Sequence, residues 1–263
     1  MTASNACAAL RRGPRSRWLN LACALVVAAA ALAARGGVQA APEIAWGREG
    51  IPILLYHQVL DTPGPYAVTP WELENQLIWL RDNGYVSITP SELQAAWSWG
   101  APLPERAVML TIDDGWPSQS IFVDLVNRYG FRAAYFLPNF ASVSEDEIRA
   151  LDASGEVCGH TVTHPNLENL SYDEIFEEVH GNRVWLEGIV GHPVTCFAYP
   201  FGGYNDYVTQ AVRDAGMQMA FLAWGGLTAL DDSYNPMTIR RVNVNGAYPI
   251  DDLVSVLYGD VGY

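Results

Sequence analysis

The sequence predicts an α/β fold, with parallel strands packed under helices and closed, or nearly closed, into a barrel. Three observations predict it. Seven short apolar runs read as strands, and helical segments stand between most of them. That alternation places the strands side by side and parallel, with the helices outside. Seven strands suit a ring better than an open sheet. The residues that carry chemistry are His57, Asp113, Asp114, His160 and the loop at Pro200, and all fall just after strands. A barrel of parallel strands gathers its functional groups at those ends.

Residues 1–40 read as a secretory signal peptide. Arg11, Arg12, Arg15 and Arg17 precede an apolar run from Trp18 to Ala34, and Val38-Gln39-Ala40 is a small-x-small cleavage site. The run is short for a membrane span, and a cleavage site follows it. The other reading retains it as an N-terminal anchor, the one route to a membrane. Residues 41–50 read as a linker and 51–263 as a single domain, secreted or periplasmic.

Ile51 to Tyr56 is a continuous apolar run, as in a strand buried on both faces, and it ends in His57. Thr69 caps a helix with Pro70 in its first position. Trp71, Leu73, Leu77 and Leu80 are placed on its inner face, and Gly84 closes it. Thr89-Pro90-Ser91-Glu92 repeats the start signal for a helix to about Trp99. Strand 107–112 runs into Asp113-Asp114-Gly115, and a helix follows from about Ser118 to Tyr129. Ala133 to Leu137 is a strand. Ser144 and Glu147 are spaced as a capping box, then Glu156 to Gly159 is a strand. Ser171 and Glu174 form a second box, opening a helix to about Val190. Val194 to Tyr199 is a strand, Asn205 caps a helix ending at Gly216, and Gln218 to Leu222 and Ile239 to Val244 are further strands. Pro249 starts a last helix ending near Tyr258.

The chain has fifteen Arg, no Lys and 29 acidic residues. Without Lys there is no Schiff-base chemistry and no P-loop. Beyond residue 40, ten Arg face all 29 acids, a net charge of −19, which argues against nucleic acid as a partner. The acidity either aids the solubility of what is expected to be a monomer or favours a cationic polymer. Cys7 and Cys23 lie in the leader. Cys158 and Cys196 lie in two expected strands. They are either a disulfide, which an oxidising compartment permits, or two buried thiols, and pairing requires those strands to be neighbours.

A buried strand that ends in two carboxylates is costly unless a cation or donors compensate them. Asp114 could simply cap the next helix, helped by Gly115. About fifty residues on, His160-Thr161-Val162-Thr163-His164-Pro165 supplies two imidazoles. Pro165 turns His164 away from helical geometry, so this is a loop, and a loop can aim both rings at one point. With one Asp they make a two-His-one-carboxylate set, suited to Zn²⁺ with an open position or to another divalent transition metal such as Co²⁺ or Ni²⁺.

These residues resemble a known family. Thr111-Ile112-Asp113-Asp114-Gly115 is similar to the T-F-D-D-G motif of polysaccharide deacetylases, the carbohydrate esterases (family 4) with the NodB homology domain. His160-Thr-Val-Thr-His164 resembles their H-[ST]-x-x-H motif, and Phe197-Ala198-Tyr199-Pro200-Phe201-Gly202 their third. The similarity spans roughly residues 51 to 258. It implies a distorted (β/α)₇ barrel and metal-dependent removal of acetyl groups from a polysaccharide, foremost from N-acetylglucosamine units. By position, Asp114, His160 and His164 hold the metal. Asp113 is the general base and must stay off the metal to take a proton from water. The Phe201 N–H steadies the oxyanion.

Two departures follow. Many relatives carry an Arg two residues before the motif proline, where this chain has Ala198. Arg241 is the candidate to orient the base instead, or else it makes a salt bridge at the surface or the barrel end. No His follows His192, so the usual C-terminal acid is missing. Leu55-Tyr56-His57 fits the N-terminal Tyr-His segment of the branch that resembles poly-β-1,6-N-acetylglucosamine deacetylases. His57 would then protonate the leaving amine, or else be a strand-end hydrogen-bonding residue. Trp116 and Trp224 are candidate sugar platforms or ordinary rim residues. Tyr199 and Pro200 of the third motif join them on the substrate side. Trp71, Trp79 and Trp185 read as packing, and His180 and His192 as structural. The alternatives are an esterase for O-acetyl groups of xylan or peptidoglycan, an amide hydrolase for small molecules, and a carbohydrate-binding module without catalysis. The intact Asp113, Asp114, His160 and His164 argue against the last.

Overall fold

The structure, a computed structural model, describes residues 50–231, 233–246 and 250–257. The expected signal peptide lies outside them, as do nearly all of the expected linker and both Pro249 and Tyr258 of the last helix.

β1 (Ile53–Tyr56) is buried along its length, as its apolar run requires. β2 (Gln58–Val59) and β3 (Ala67–Val68) form a small separate sheet that the sequence pattern did not reveal. α1 (Pro70–Asp82) follows, then β4 (Val86–Ser87) and α2 (Pro90–Trp99), both helices opening on capping boxes from Thr69 and Thr89. The chain continues through β5 (Ala107–Asp113), α3 (Gln119–Arg128), β6 (Ala133–Leu137), α4 (Glu145–Ser154), β7 (Glu156–Gly159) and α5 (Tyr172–Val190). It ends with β8 (Cys196–Ala198), α6 (Asp206–Asp214), β9 (Met219–Gly225), β10 (Ile239–Asn243) and α7 (Ile250–Leu257). Ser144 and Ser171 form the expected boxes, and the Asn205 Oδ1 accepts from the Val208 N–H at 3.0 Å. Ser118 differs. Its hydroxyl accepts from the Val59 N–H at 3.2 Å, tying β2 to the start of α3 rather than capping that helix.

Seven parallel strands close a ring. β5 to β10 pair in sequence order, and β1 joins the ends, with Leu54 beside Leu110 on one side and Val242 on the other. β4 lies outside the ring, pairing only with the first residues of β5. Side chains alternate across a strand, so each strand feeds two cores. Ile53, Met109, Phe136, Phe221 and Ile239 fill the inside of the ring. Leu54, Val108, Leu110 and Ile112 face outward under α1 and α3, against Leu77 and Phe122. By the same parity Thr111, Asp113 and Arg241 stand inside the ring, above Met109 and Ile239.

Trp71 is corrected by this geometry. It was placed with Leu73, Leu77 and Leu80, yet it is 72% exposed while those three are buried. Residues two apart on a helix lie on nearly opposite sides. Trp79 and Trp185 do pack against the outer core.

Cys158 and Cys196 form a disulfide, with Cα atoms 4.9 Å apart. They sit on neighbouring strands inside the ring, next to the registered pair Gly159 and Phe197. A crosslink across 38 residues should contribute about 2–4 kcal/mol. Replacing both cysteines by Ala is therefore expected to lower the unfolding free energy by that amount, and the urea midpoint with it. An unchanged midpoint would show that the ring does not depend on the bond.

Candidate metal and catalytic site

Strand parity and three tight turns assemble this site. β5 delivers Asp113 to the inside of the ring, and the chain then turns sharply. Asp114 has φ 75° and Gly115 φ 63°. A Cβ on Gly115 would lie 2.5 Å from that of Ala141, so only glycine fits. The turn swings the Asp114 carboxylate over the end of β7. The alternative that Asp114 caps a helix is thereby removed, since α3 starts only at Gln119.

At the end of β7, His160 is buried and held at three points. Its N–H donates to Asn182 Oδ1 at 2.9 Å, its Nδ1 lies 2.8 Å from the Ala198 carbonyl, and its Nε2 lies 3.4 Å from Asp114 Oδ1. The carbonyl can only accept, so Nδ1 carries the proton and Nε2 presents a lone pair. Thr161 and His164 both have left-handed backbone, φ 69° and 59°, and the His164 N–H donates to Thr161 Oγ1 at 2.9 Å. This small loop brings His164 Nε2 to 3.2 Å from Asp114 Oδ1 and 3.1 Å from His160 Nε2.

Two imidazole nitrogens at that separation, beside a carboxylate, call for a cation. Zn²⁺ with ligands at about 2.0–2.1 Å in a tetrahedron sets them about 3.3–3.4 Å apart. The three separations here are 3.1, 3.2 and 3.4 Å, so the donor set fits a divalent metal and leaves a coordination position open. The electrostatics agree. Burial pushes the Asp114 carboxyl up, but the hydrogen bonds of His160 and His164 and the charges of His160 and His57 outweigh it and hold its pKa well below the usual carboxylate range. Burial lowers the pKa of His160, while the bond to Asp114 and the charges of Asp113 and Asp114 raise it to a net value above the ordinary.

Asp113 points away from this cluster, its nearer oxygen 3.9 Å from His160 Nε2. Arg241 clamps it from β10, across β1 from β5. Nη1 donates to Oδ1 at 2.8 Å and Nη2 to Oδ2 at 2.7 Å. Arg241 also donates from Nε to the Leu222 carbonyl at 2.6 Å and from Nη1 to Thr111 Oγ1 at 3.2 Å, and it lies over the Phe136 ring. It is fully buried, so it is not a surface salt bridge. Strand alternation turns it inward, on the same side of β10 as Ile239 two residues earlier.

His57 ends β1 at the same mouth. Its ring packs edge-on to Tyr66 at 5.2 Å, and its buried Nδ1 has no hydrogen-bond partner among the described residues. Burial lowers its pKa below 6.5. Asp113 and Asp114 oppose that shift, and Arg241 and His160 add to it. On the far side Phe201 takes φ 57° in a turn closed by the Gly202 N–H on the Tyr199 carbonyl at 2.9 Å. Its ring lies 4.8 Å from that of His164.

Comparison with known proteins places this arrangement. Residues 100–220 match the polysaccharide deacetylase family. That stretch is the part of the chain similar to a polysaccharide deacetylase domain. YxkH of Bacillus subtilis, which is named for the same family, is 25% identical over 203 residues, 74% of this chain and 71% of its own length. The poly-β-1,6-N-acetyl-D-glucosamine N-deacetylase of Escherichia coli K12 is 37% identical over 76 residues, 28% of this chain and only 11% of its own. Among solved structures, the Streptococcus pyogenes deacetylase PplD in complex with acetate shares the fold. Its TM-score is 0.72 at 21% identity, over 79% of this chain and 97% of that one.

Among the residues expected on the substrate side, two expectations need correction. The Tyr199 side chain is not available to a sugar. Cys196 and Ala198 face into the ring, so Phe197 and Tyr199 face outward. Tyr199 is buried there, donating to the Met237 carbonyl at 3.0 Å, and burial raises its pKa far above the ordinary. Pro200 is buried too. Trp116 and Trp224 are accessible, 42% and 54% exposed. Trp116 Nε1 donates to Asp114 Oδ2 at 3.0 Å. Trp224 lies on the Phe201 turn, so close to Gly202 that a Cβ there would stand 2.5 Å from the indole. His180 stacks on Phe176 and His192 pairs with Asp152, so neither joins the site.

Thr111, Asn182 and Phe140 were not singled out in the sequence. Asn182 had a signal. It occupies an apolar-stripe position of α5 with Ile175, Val179 and Leu186 and is fully buried. Phe140 is exposed, 6.4 Å from the His164 ring.

Two predictions test this geometry. In metal-free protein, the His57 imidazole should titrate below 6.5 by NMR, and lower still in Asp113→Asn, which removes a charge that raises it. Because the folded value lies below the unfolded one, protonating His57 costs stability. The penalty is absent well above pH 6.5 and grows as pH falls toward the folded value. A titration at or above 6.5 would contradict the burial. Separately, Arg241→Met leaves Asp113 buried without a partner and should cost about 3–5 kcal/mol, most of which the added change Asp113→Leu should restore in urea unfolding.

Proposed function

We propose that this domain is a metal-dependent N-deacetylase of N-acetylglucosamine units in an extracellular or cell-wall polysaccharide, releasing acetate. The observation that carries the reading is the division between the two neighbouring carboxylates. Asp114 belongs to the three-ligand cluster, and Asp113 is held off it by Arg241.

Zn²⁺, or Co²⁺ or Ni²⁺, held by Asp114, His160 and His164 would polarise the acetyl carbonyl and acidify a water. The protein does the rest. Asp113 takes the proton of the attacking water, with both oxygens kept in line by Arg241. The Phe201 N–H, set in its left-handed turn, donates to the oxygen on which charge develops. As the C–N bond breaks, His57 hands a proton to the departing amine. Trp116 and Trp224, accessible on either side, offer aromatic faces for flanking sugars. The family match and the Escherichia coli relative support a glucosamine polymer as the substrate class, and the leader expected at residues 1–40 supports export.

Acetate release from partly acetylated β-1,6- and β-1,4-glucosamine oligomers tests this. A chelator should abolish release and added Zn²⁺, Co²⁺ or Ni²⁺ restore it. Asp113→Asn should lower the rate about 10²–10⁴-fold with metal still bound, whereas Asp114→Asn should lose the metal. Metal binding without release from either oligomer would turn the assignment to O-acetyl esters or to binding alone.

A further inference from the structure

The loop from His160 to His164 carries both imidazoles of the cluster, and two of its residues, Thr161 and His164, stand in left-handed backbone that their side chains disfavour. Such a loop keeps one conformation only when its surroundings dictate it. What surrounds it is α5. The Glu178 carboxylate reaches out of the middle of that helix and accepts three bonds from the loop. These come from the Val162 N–H at 2.9 Å, the Thr163 N–H at 2.8 Å and the Thr163 hydroxyl at 2.6 Å. The Val162 N–H also points at the Glu178 carbonyl, 3.1 Å away.

One turn further along the same face, Asn182 accepts the His160 N–H at 2.9 Å. It donates to the Leu137 carbonyl at 2.9 Å and to Asn139 Oδ1 at 2.8 Å, so it also grips the end of β6. The helix lies tight against the loop, since a Cβ on Gly181 would come 3.2 Å from Val162 Cγ2. With the His164 N–H on Thr161 Oγ1, four of the five amides in the loop have fixed acceptors.

We propose that Glu178 and Asn182 are positioning residues for the metal, one helix face that holds the 160–164 loop in the conformation aiming His160 and His164 at Asp114. This rests on the reading of Asp114, His160 and His164 as a metal site. A charged carboxylate serves better here than packing because it binds two amides and a hydroxyl at once, and bonds to an ionised acceptor are the stronger kind.

Binding of Zn²⁺ by competition with a chromophoric chelator, and the visible absorption of bound Co²⁺, test the proposal well below the unfolding temperature of each metal-free protein. Glu178→Ala should weaken Zn²⁺ binding about 10–100-fold and alter the Co²⁺ bands. Glu178→Gln keeps an oxygen for the two amides and a partner for the hydroxyl, and should return to within about threefold of wild type. Glu177→Ala removes the same charge from the neighbouring exposed position of α5 and should leave both readouts unchanged. Should Glu178→Ala not fold, Thr163→Val loses only the hydroxyl bond and should weaken binding by about threefold or more.

Unchanged affinity in Glu178→Ala or in Thr163→Val overturns the proposal. So does a Glu177→Ala loss equal to that of Glu178→Ala, which would assign the effect to distant charge. Wild-type protein that binds neither ion overturns the metal reading and this proposal together. Wild-type binding with unaffected variants overturns the proposal alone.

Discussion

A guanidinium and a carboxylate taken out of water each lose several kcal/mol of solvation, and only full hydrogen bonding returns it. Arg241 and Asp113 come close to that condition inside the ring. Both carboxylate oxygens are engaged, and two further Arg N–H groups go to Leu222 and Thr111. Much of the upper barrel answers to this pair. Alternation along β10 points the Arg inward, Phe136 lies under it, and Thr111 is polar where Met109 below it is not. The pair also keeps two adjacent carboxylates in different roles, because a base bound on both oxygens cannot swing onto the ligand cluster.

A second constraint is conformational. Among the described residues, the non-glycine positions with positive φ are Asp114, Thr161, His164 and Phe201. All four stand around one point, and each costs about 1–3 kcal/mol. Asp and His tolerate this backbone better than Thr and Phe do, so Thr161 and Phe201 are the clearer outliers. The ring below is rigid, closed and filled with side chains, and it can hold turns that an isolated loop would relax.

The fold was legible because the seven ring strands are apolar runs bounded by capping boxes and glycine stops, signals that act within a few residues. β2, β3 and β4 are two residues each, too short for any periodicity to register. The ligand trio was legible because its spacing is local to two strand ends. Arg241 could be named only as a candidate, since its partner lies 128 positions away and a buried Arg reads like an exposed one. Tyr199 misled because a motif marks sequence, not parity: its neighbour Ala198 faces the site and it does not. Asn182 was hidden by its setting, a polar residue in an apolar stripe that becomes informative once α5 is seen against the ends of β6 and β7.

The disulfide has a consequence beyond stability. β8 is three residues long, and its ladder with β7 is registered at Gly159 and Phe197. Cys158 lies two residues before His160 and Cys196 two before Ala198, so the covalent rung sits directly beneath the bond from His160 Nδ1 to the Ala198 carbonyl. That bond decides which imidazole nitrogen faces Asp114. The seam with little backbone pairing is thus the one on which a tautomer depends, and there a sulfur–sulfur bond stands in for strand length. The strands that carry the two ends of that one hydrogen bond are joined covalently one rung below it.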